Sequence, residues 1–368
     1  MNIPFVDLAS EYRPIKAAVM AEIENVLDSG QYIGGRQVEE LEQAIAGYCG
    51  TRFAITVNSG TDALFFSLLA LGIGNGDEVI VPSNSFMATA NAVILAGATP
   101  VFADIESGDI NIDPACIKSA ITPETRAVIP VHLSGKPARM DQISDICADK
   151  GIFVIEDAAQ AFGAELKGKK AGSMGDTGCF SFHPLKNLNC PGDGGCIVTD
   201  NQALAGQLKL LRNHGLKDRD TCILPGYNSR LDAIHAAILK IKLARYEETL
   251  APRLETIQWY REQLDGHIGL IPELEDGRAV YQNFFLFSPE RDALRNHLDA
   301  NGIASSIHSH TTPLHQQPGI MERSRVAGSL DRTRVFQDTT LSIPVLHRNP
   351  EARDHLIQCI LDFCGRRT

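Results

Sequence analysis

The chain has 368 residues, enough for a large domain with a smaller one attached, and its 44% hydrophobic and 21% charged residues are ordinary for a globular protein. The net charge of −11 argues against nucleic acid or an anionic membrane as the main partner. The first residues lack the pattern of a signal peptide, and the nine cysteines are scattered without a C-x-x-C pair. We therefore expect a cytoplasmic protein with reduced thiols.

The first part of the chain is predicted to contain helices over residues 12–29 and 38–48 and a short strand over 53–57. The motif Asn58-Ser59-Gly60-Thr61 follows this strand and opens a helix over 62–71. Small residues at a helix start let unpaired backbone N–H groups approach an anion, so Gly60 and Thr61 are candidates for binding a phosphate. Ser59 or Thr61 acting only as a helix cap is the commoner alternative.

Beyond residue 75, apolar strands alternate with helices, which is typical of an α/β fold with a parallel sheet buried on both faces. The strands are predicted at residues 78–82, 100–103, 127–131 and 153–157, and the helices at 85–96, 114–120 and 140–150. Two further strands, at 178–183 and 195–199, are expected on either side of Lys186.

The pattern changes near residue 250, and we predict a large domain over 1–249 and a smaller α+β domain over 250–368. A long helix over 231–263, broken near Pro252, is expected to join them. The smaller domain is predicted to hold a strand at 284–287 and helices at 290–301 and 350–363.

Lys186 is the strongest candidate for a catalytic side chain. It is the only formally charged residue between Asp176 and Asp193, and its neighbours include Phe180, Phe182 and Leu185. Desolvation lowers the pKa of an amine, and a neutral amine can attack an aldehyde to form an imine. A loop lysine that extends its amine into solvent is the alternative.

Three other residues stand at predicted strand ends, where ligands of parallel sheets bind. Asp157 ends the most apolar strand, and its carboxylate could keep a pyridine nitrogen protonated or could cap a following helix. Phe86 follows another strand and could stack on a flat ring or belong to the core. The Ser181 hydroxyl could reach a phosphate near Lys186.

Two other patterns point to no site. Residues 163–170 nearly match a P-loop, but Lys170 replaces the Ser or Thr that would bind Mg²⁺, so a charged hairpin is predicted instead. His308, His310 and His315 have no usual metal-ligand spacing, and no metal site is expected.

A phosphate cup, a ring-nitrogen carboxylate, a stacking aromatic ring and an amine nucleophile together describe a pyridoxal phosphate site. Their order along the chain resembles the DegT/DnrJ/EryC1/StrS family of sugar aminotransferases. The motifs that carry the resemblance are SGTDAL, SFMATANAV, PVHLSGKPARMDQI, EDAAQAFGA, CFSFHPLKN, GDGG and GYNSRLDAIHAAIL. The resemblance extends from Ile3 to Pro344.

The resemblance implies an aspartate-aminotransferase-like fold (fold type I) and a homodimer with a shared active site. It implies that Lys186 is the imine-forming lysine, that Asp157 pairs with the pyridinium nitrogen, and that Gln160 contacts the phenolic oxygen of the cofactor. Phe86 would lie against the ring. The phosphate would be held by Gly60, Thr61 and Ser181, with Asn228 and Arg230 reaching over from the other subunit.

The implied activity is ping-pong transfer of an amino group, most often from L-glutamate, to a nucleotide-linked keto-sugar by internal and external aldimine chemistry. Gln282-Asn283 and His308-Ser309-His310 depart from the family's aromatic-rich versions, and both fall where the sugar is expected. His308 and His310 are accordingly candidate sugar-binding residues.

Two rival functions are considered. In sugar dehydratases on the same scaffold a histidine replaces the lysine, so Lys186 argues against that activity. A non-catalytic regulatory protein that binds the cofactor is the other rival. GYNSRL and the spacing after Lys186 favour amination at C-3 over C-4.

Overall fold

The computed structural model describes residues 2–307 and 312–365. Its α-helices are α1 (Leu8–Tyr12), α2 (Lys16–Ser29), α3 (Arg36–Cys49), α4 (Gly60–Ala70), α5 (Met87–Leu95), α6 (Pro114–Ala120), α7 (Met140–Ala148), α8 (Gln202–Leu211), α9 (Ala233–Ala244), α10 (Tyr246–Leu264), α11 (Arg291–Ala300), α12 (Pro318–Met321), α13 (Asp331–Thr339) and α14 (Pro350–Gly365). Short 3₁₀ turns lie at Arg13–Ile15, Leu133–Gly135 and Leu314–Gln316.

Three sheets contain the strands. The strands are β1 (Phe53–Val57), β2 (Glu78–Pro82), β3 (Thr99–Ala103), β4 (Thr125–Val128), β5 (Phe153–Asp157), β6 (Glu165–Leu166), β7 (Lys169–Lys170), β8 (Thr177–Ser181), β9 (Gly195–Thr199), β10 (Gly269–Leu270), β11 (Gly277–Arg278), β12 (Phe284–Phe287), β13 (Arg325–Val326) and β14 (Thr340–Ile343).

The main sheet has eight strands in the order β1-β9-β8-β5-β4-β2-β3-β13. Its pairs are parallel except where β9 meets β1 and β8, so the predicted α/β fold with a mostly parallel sheet is confirmed. Because β9 runs against both neighbours, β1 and β8 run in the same direction as β5 and β2. The carboxyl ends of β1, β2, β5 and β8 therefore meet at one edge of the sheet.

Helices cover both faces of this sheet. One apolar cluster packs α4, α5 and α8 on one face, where Leu64, Phe66 and Leu68 are almost fully buried. The other face is covered by a cluster that includes Leu41 and Ile45 of α3 and by a third that includes Ile117 and Ile143 of α6 and α7. Burial on both faces explains the nearly continuous apolar strand sequences.

The C-terminal part has its own core around the antiparallel sheet β10-β12-β14, where Tyr260, Phe284 and Leu356 are fully buried. Ile3 packs into this core and pairs with Ile303. The predicted boundary after residue 249 lies inside α10 and remains a prediction.

Three expectations at prolines need correction. The break predicted near Pro252 is wrong, because the helices separate at Arg245 and Pro252 lies within α10. The helix expected over 12–29 instead has a 3₁₀ turn around Pro14, where a backbone N–H is missing. The strand expected over 127–131 ends at Val128, and Pro130 cannot donate to a sheet ladder.

The hairpin predicted over residues 163–170 is confirmed by the antiparallel pair β6 and β7. Lys167 and Gly168 at its tip both have positive φ, 49° and 77°, which suits a tight two-residue turn. No helix in the described ranges is long and apolar enough to cross a membrane.

Candidate active site

Lys186 lies in the turn that follows β8. Its backbone N–H donates to His183 O at 2.9 Å, and its carbonyl accepts from Asn189 Nδ2 at 2.7 Å. The side chain is partly buried, and burial lowers the pKa of the amine from 10.5 to about 8, while the charge of Asp157 opposes that shift. At pH 8 about half of such amines are neutral and nucleophilic, which is the state that imine formation requires.

Asp157 ends β5 beside Cys179 of β8. Its Oδ2 accepts from Thr89 Oγ1 at 2.7 Å, and its Oδ1 accepts from Ala159 N at 3.2 Å. Burial raises the pKa of this carboxyl, while these hydrogen bonds and the field of Lys186 oppose the increase. The loop after β5 leads to the β6–β7 hairpin and not to a helix, so Asp157 has no helix to cap.

Glu156 is turned to the other side of β5, as its neighbouring position predicts. Its carboxylate accepts from the backbone N–H groups of Gly172, Met174 and Gly175 and contacts His132 Nε2 at 2.8 Å. All of its acceptor capacity is used inside the protein. Glu156 therefore stabilises the end of β5 on the opposite side of the strand. Asp157 is the neighbouring carboxylate that can contact a ligand.

The start of α4 forms a narrow cradle. Ser59 is the helix cap, accepting from Asp62 N at 3.1 Å, while the amides of Gly60 and Thr61 find no acceptor among the described residues. A Cβ at Gly60 would lie 2.7 Å from the Cβ of Ser181, so only glycine lets the two segments approach this closely. The structure thus brings together Gly60, Thr61 and Ser181, with two amides free for an anion.

Phe86 and Gln160 stand at the same sheet edge. Phe86 precedes α5 and is 54% exposed, so it is not a core residue. Gln160 is buried, and its Oε1 accepts from Ser134 N at 2.7 Å. None of the hydrogen bonds among the described residues uses Gln160 Nε2, which leaves that group free to donate to a ligand.

The predicted pair Asn228 and Arg230 lies in a loop that is anchored in its own chain. Ser229 between them donates to Asp62 Oδ2 at 2.6 Å and accepts from Asn58 N at 3.0 Å. Asn228 is exposed. Arg230 Nη1 donates to Asn213 Oδ1, but its buried Nε has no hydrogen-bond partner in the described chain. His308 and His310 lie outside the described residues.

Sequence reasoning missed two contacts of the site. Thr89, the partner of Asp157, lies one helical turn after Phe86, so the helix period of SFMATANAV could have indicated it. Gln282 approaches Lys186 Nζ at 3.4 Å across a long stretch of sequence, and no local pattern predicts such a contact.

A cavity of about 420 Å³ adjoins Lys186 and Gln282. It lies between the N-terminal segment, α10 and the chain that follows β14, and Lys242, Arg253 and Arg348 add positive charge to its wall. Asp157, Gly60 and Phe86 do not line it, so Lys186 is the predicted cofactor-binding residue that this cavity shares with the sheet edge.

The side chains at this edge fit pyridoxal phosphate. The amides of Gly60 and Thr61 suit the phosphate, the buried carboxylate of Asp157 suits the pyridine nitrogen, and the amine of Lys186 suits the aldehyde. An α/β sheet that brings this set together at its carboxyl edge defines a pyridoxal-phosphate-dependent enzyme.

Comparison with known proteins narrows this class. The family model for the DegT/DnrJ/EryC1/StrS aminotransferase family matches residues 14–360, and the chain belongs to this family. It is 42% identical to dTDP-3-amino-3,4,6-trideoxy-alpha-D-glucose transaminase of Streptomyces venezuelae, over 94% of this chain and 91% of that one. It is 41% identical to UDP-N-acetyl-3-dehydro-alpha-D-glucosamine 3-aminotransferase of Acidithiobacillus ferrooxidans, over 99% and 97%.

A solved structure of S. venezuelae DesV in complex with a ketimine intermediate superposes with a TM-score of 0.95, at 40% identity and covering 99% of this chain and 98% of that one. The fold-type prediction is therefore confirmed. The family membership confirms the predicted pyridoxal phosphate cofactor and aminotransferase activity, whereas the roles of individual residues remain predictions.

Removal of the amine tests the role of Lys186. The purified protein should absorb visible light through bound pyridoxal phosphate, and borohydride should bleach the band and fix the cofactor on the peptide that contains Lys186. Lys186→Ala should fold, lose this covalent fixation and lose turnover. Lys169→Ala, on the exposed hairpin, is the matched control. Normal activity of Lys186→Ala would exclude the transaminase mechanism.

Asp157→Asn tests the buried carboxylate. The amide keeps the shape but cannot hold a proton on the ring nitrogen, so the cofactor should still bind while proton transfer slows by at least ~10²-fold. Single-turnover absorbance with excess L-glutamate measures the step, and Asp149→Asn at an exposed site is the control. An unchanged rate would show that Asp157 has only a structural role.

Proposed function

We propose that this protein transfers the amino group of L-glutamate to a nucleotide-linked 3-keto sugar. The observation that carries the proposal is the partly buried Lys186, whose pKa is lowered to about 8 by burial and whose amine lies in the field of the buried carboxylate of Asp157. Two relatives at 41–42% identity carry names that specify amination at C-3, which supports a 3-keto over a 4-keto acceptor.

In this mechanism bound pyridoxal phosphate supplies an aldehyde for the donor's amine and a ring that accepts electrons. Lys186, once its amine is free, would move a proton between the donor's α-carbon and C4′ of the cofactor. The same amine reverses these transfers when the keto-sugar replaces the oxo-acid product. A pKa of about 8 suits both directions, because the amine must both accept and release a proton near neutral pH.

The other residues position the reacting groups. Asp157, whose carboxylate is fixed by Thr89 and Ala159 N, would hold the ring nitrogen protonated. Gln160 would donate through Nε2 to the phenolic oxygen, and Phe86 would pack against the ring. Gly60, Thr61 and Ser181 would bind the phosphate. His308 and His310 are proposed to contact the sugar.

A homodimer with a composite phosphate site completes the proposal. Asn228 is exposed, and Arg230 keeps a buried Nε without a partner in the described chain. Tyr32, Ile33, Ile223 and Tyr227 leave between 44% and 54% of their surface exposed, which is the kind of apolar surface that a second copy would cover. In the dimer Asn228 and Arg230 reach the phosphate bound by the other subunit. A cytoplasmic location remains a prediction.

A two-stage assay tests the activity. Enzyme loaded with pyridoxal phosphate should convert L-glutamate to 2-oxoglutarate in a single turnover, detected by loss of the cofactor's visible band. The resulting amino form should regain the band only with keto-sugar nucleotides, and we expect 3-keto compounds to react faster than 4-keto ones. Binding of the cofactor with no glutamate turnover would instead favour a regulatory protein.

Mixed dimers test the shared site. Lys186→Ala and Asn228→Ala are each expected to be inactive. If Asn228 serves the other subunit, a heterodimer of the two variants has one doubly damaged site and one intact site, so up to half of the wild-type activity per heterodimer returns. The two proteins are unfolded and reassociated together, and differential tags identify the heterodimer.

If Asn228 serves the phosphate of its own chain, both sites of the heterodimer are damaged and no activity returns. Absence of recovery in a preparation shown to contain heterodimer would therefore reject the shared site. Homodimers of each variant, reassociated alone, give the background.

A further inference from the structure

Gln282 contacts the lysine turn with both ends of its side-chain amide. Its Oε1 lies 3.4 Å from Lys186 Nζ, and its Nε2 donates to the carbonyl of Leu185 at 3.1 Å. No local sequence pattern assigned it a role in the chemistry. We propose that Gln282 holds the free amine of Lys186 between the two proton transfers, an inference that rests on the proposed function.

The backbone of Gln282 is fixed from two directions. Its N–H donates to Ser134 O at 2.8 Å, and its carbonyl accepts from Arg253 Nη2 at 2.7 Å. The preceding Tyr281 has φ of 45°, a strained value for a bulky residue, and its carbonyl accepts from Arg253 Nε and Nη2 at 3.0 and 2.7 Å. Arg253 is thus a positioning residue that keeps this conformation.

Arg253 makes these bonds without an ion pair among the described residues. Burial lowers the pKa of its guanidinium. The hydrogen-bond partners of this buried group are backbone carbonyls and not a carboxylate. Charge-assisted hydrogen bonds to carbonyls are about twice as strong as neutral ones. Three such bonds at residues 281 and 282 offset the strain of the positive φ.

The same segment is joined to Gln160. Ser134 N donates to Gln160 Oε1, its Oγ donates to Asn283 O, and Gly135 O accepts from Val280 N at 3.0 Å. A Cβ at Gly135 would come within 2.8 Å of Gln160 O and 3.0 Å of Tyr281 N. The turn 133–135 therefore holds both Gln160, which is proposed to contact the phenolic oxygen, and Gln282, which contacts the Lys186 amine.

The side-chain amide of Gln282 affects the pKa of the Lys186 amine less than a carboxylate at this position would. An Nζ–H bond to a neutral oxygen directs the amine while it favours the ammonium form less than a carboxylate would. Asp157 on β5 is the charged group whose field acts on the amine. The cavity that Lys186 lines is also bordered by the charged residues Asp7, Glu11, Lys242, Arg245, Glu248, Arg253 and Arg348. Gln282 therefore fixes the position of the amine and leaves the low pKa largely intact.

The test uses cofactor-free protein, in which the titration of Lys186 can be measured without turnover. Competitive acetylation across pH, followed by peptide mass spectrometry, gives the pKa of the Lys186 amine. We expect about 8 for the wild type. Gln282→Glu should raise the pKa by about 1–3 units through a new carboxylate, whereas Gln282→Met, which removes only a neutral acceptor, should change it little.

Gln258→Glu, on the exposed side of α10, is the matched control and should leave the pKa of Lys186 unchanged. Thermal melts establish that each variant is folded. If Gln282→Glu does not fold, the single-turnover rate of Gln282→Met decides. A folded Gln282→Glu variant with the wild-type pKa overturns the inference.

The loaded enzyme supplies a second readout. Gln282→Met should slow the single-turnover reaction with L-glutamate by about tenfold with little change in the glutamate concentration at half-saturation, because the contact orients the base and does not touch the donor. An unchanged rate contradicts the proposed role. A pKa shift in the absence of any wild-type glutamate turnover rejects the proposed function but keeps the Gln282 contact, so the two failures are distinguishable.

Discussion

The candidate site depends on the withdrawal of one amine from water. Lys186 follows β8, and Asp157 ends the neighbouring strand β5, so the sheet brings an ammonium and a carboxylate together in a partly buried place. Desolvation lowers the pKa of the amine and raises that of the carboxyl, while each charge opposes the shift of the other. The pKa of the Lys186 amine is thereby lowered to about 8, which is the property that the proposed proton transfers require.

Much of the frame could be predicted because its causes are local. Apolar strands and small residues at a helix start can be recognised from a few consecutive residues. The strands β1, β2, β5 and β9 have the predicted bounds. The sheet edge that gathers Gly60, Phe86, Asp157 and Lys186 follows from strand direction alone. Pro252 misled because it lies inside α10, where tertiary packing of Leu250, Ile257 and Tyr260 outweighs the local cost of the proline.

The supports of the site could not be predicted because they depend on tertiary contacts. Ser134 and Tyr281 adopt positive φ against their own preference, which sequence propensity cannot anticipate. The sequence marked Gln282 only as a departure from a family pattern. Its contact with Lys186 joins two segments that are far apart in the chain, which no local pattern predicts. Anchoring of the Asn228 loop through Ser229 is likewise a contact between distant segments.

The pairing of the first residues with the C-terminal core has a consequence for synthesis. Ile3 is synthesised roughly 300 residues before Ile303, and helix α14, which packs around it, follows later still. At roughly 5–20 residues per second, that interval lasts on the order of 15–60 s. Strand β1 likewise pairs with β9 alone among the strands of the described residues, and β9 is made later. The nascent chain must therefore carry an apolar N-terminal segment and an unpaired strand for much of translation, a period in which chaperones can bind them.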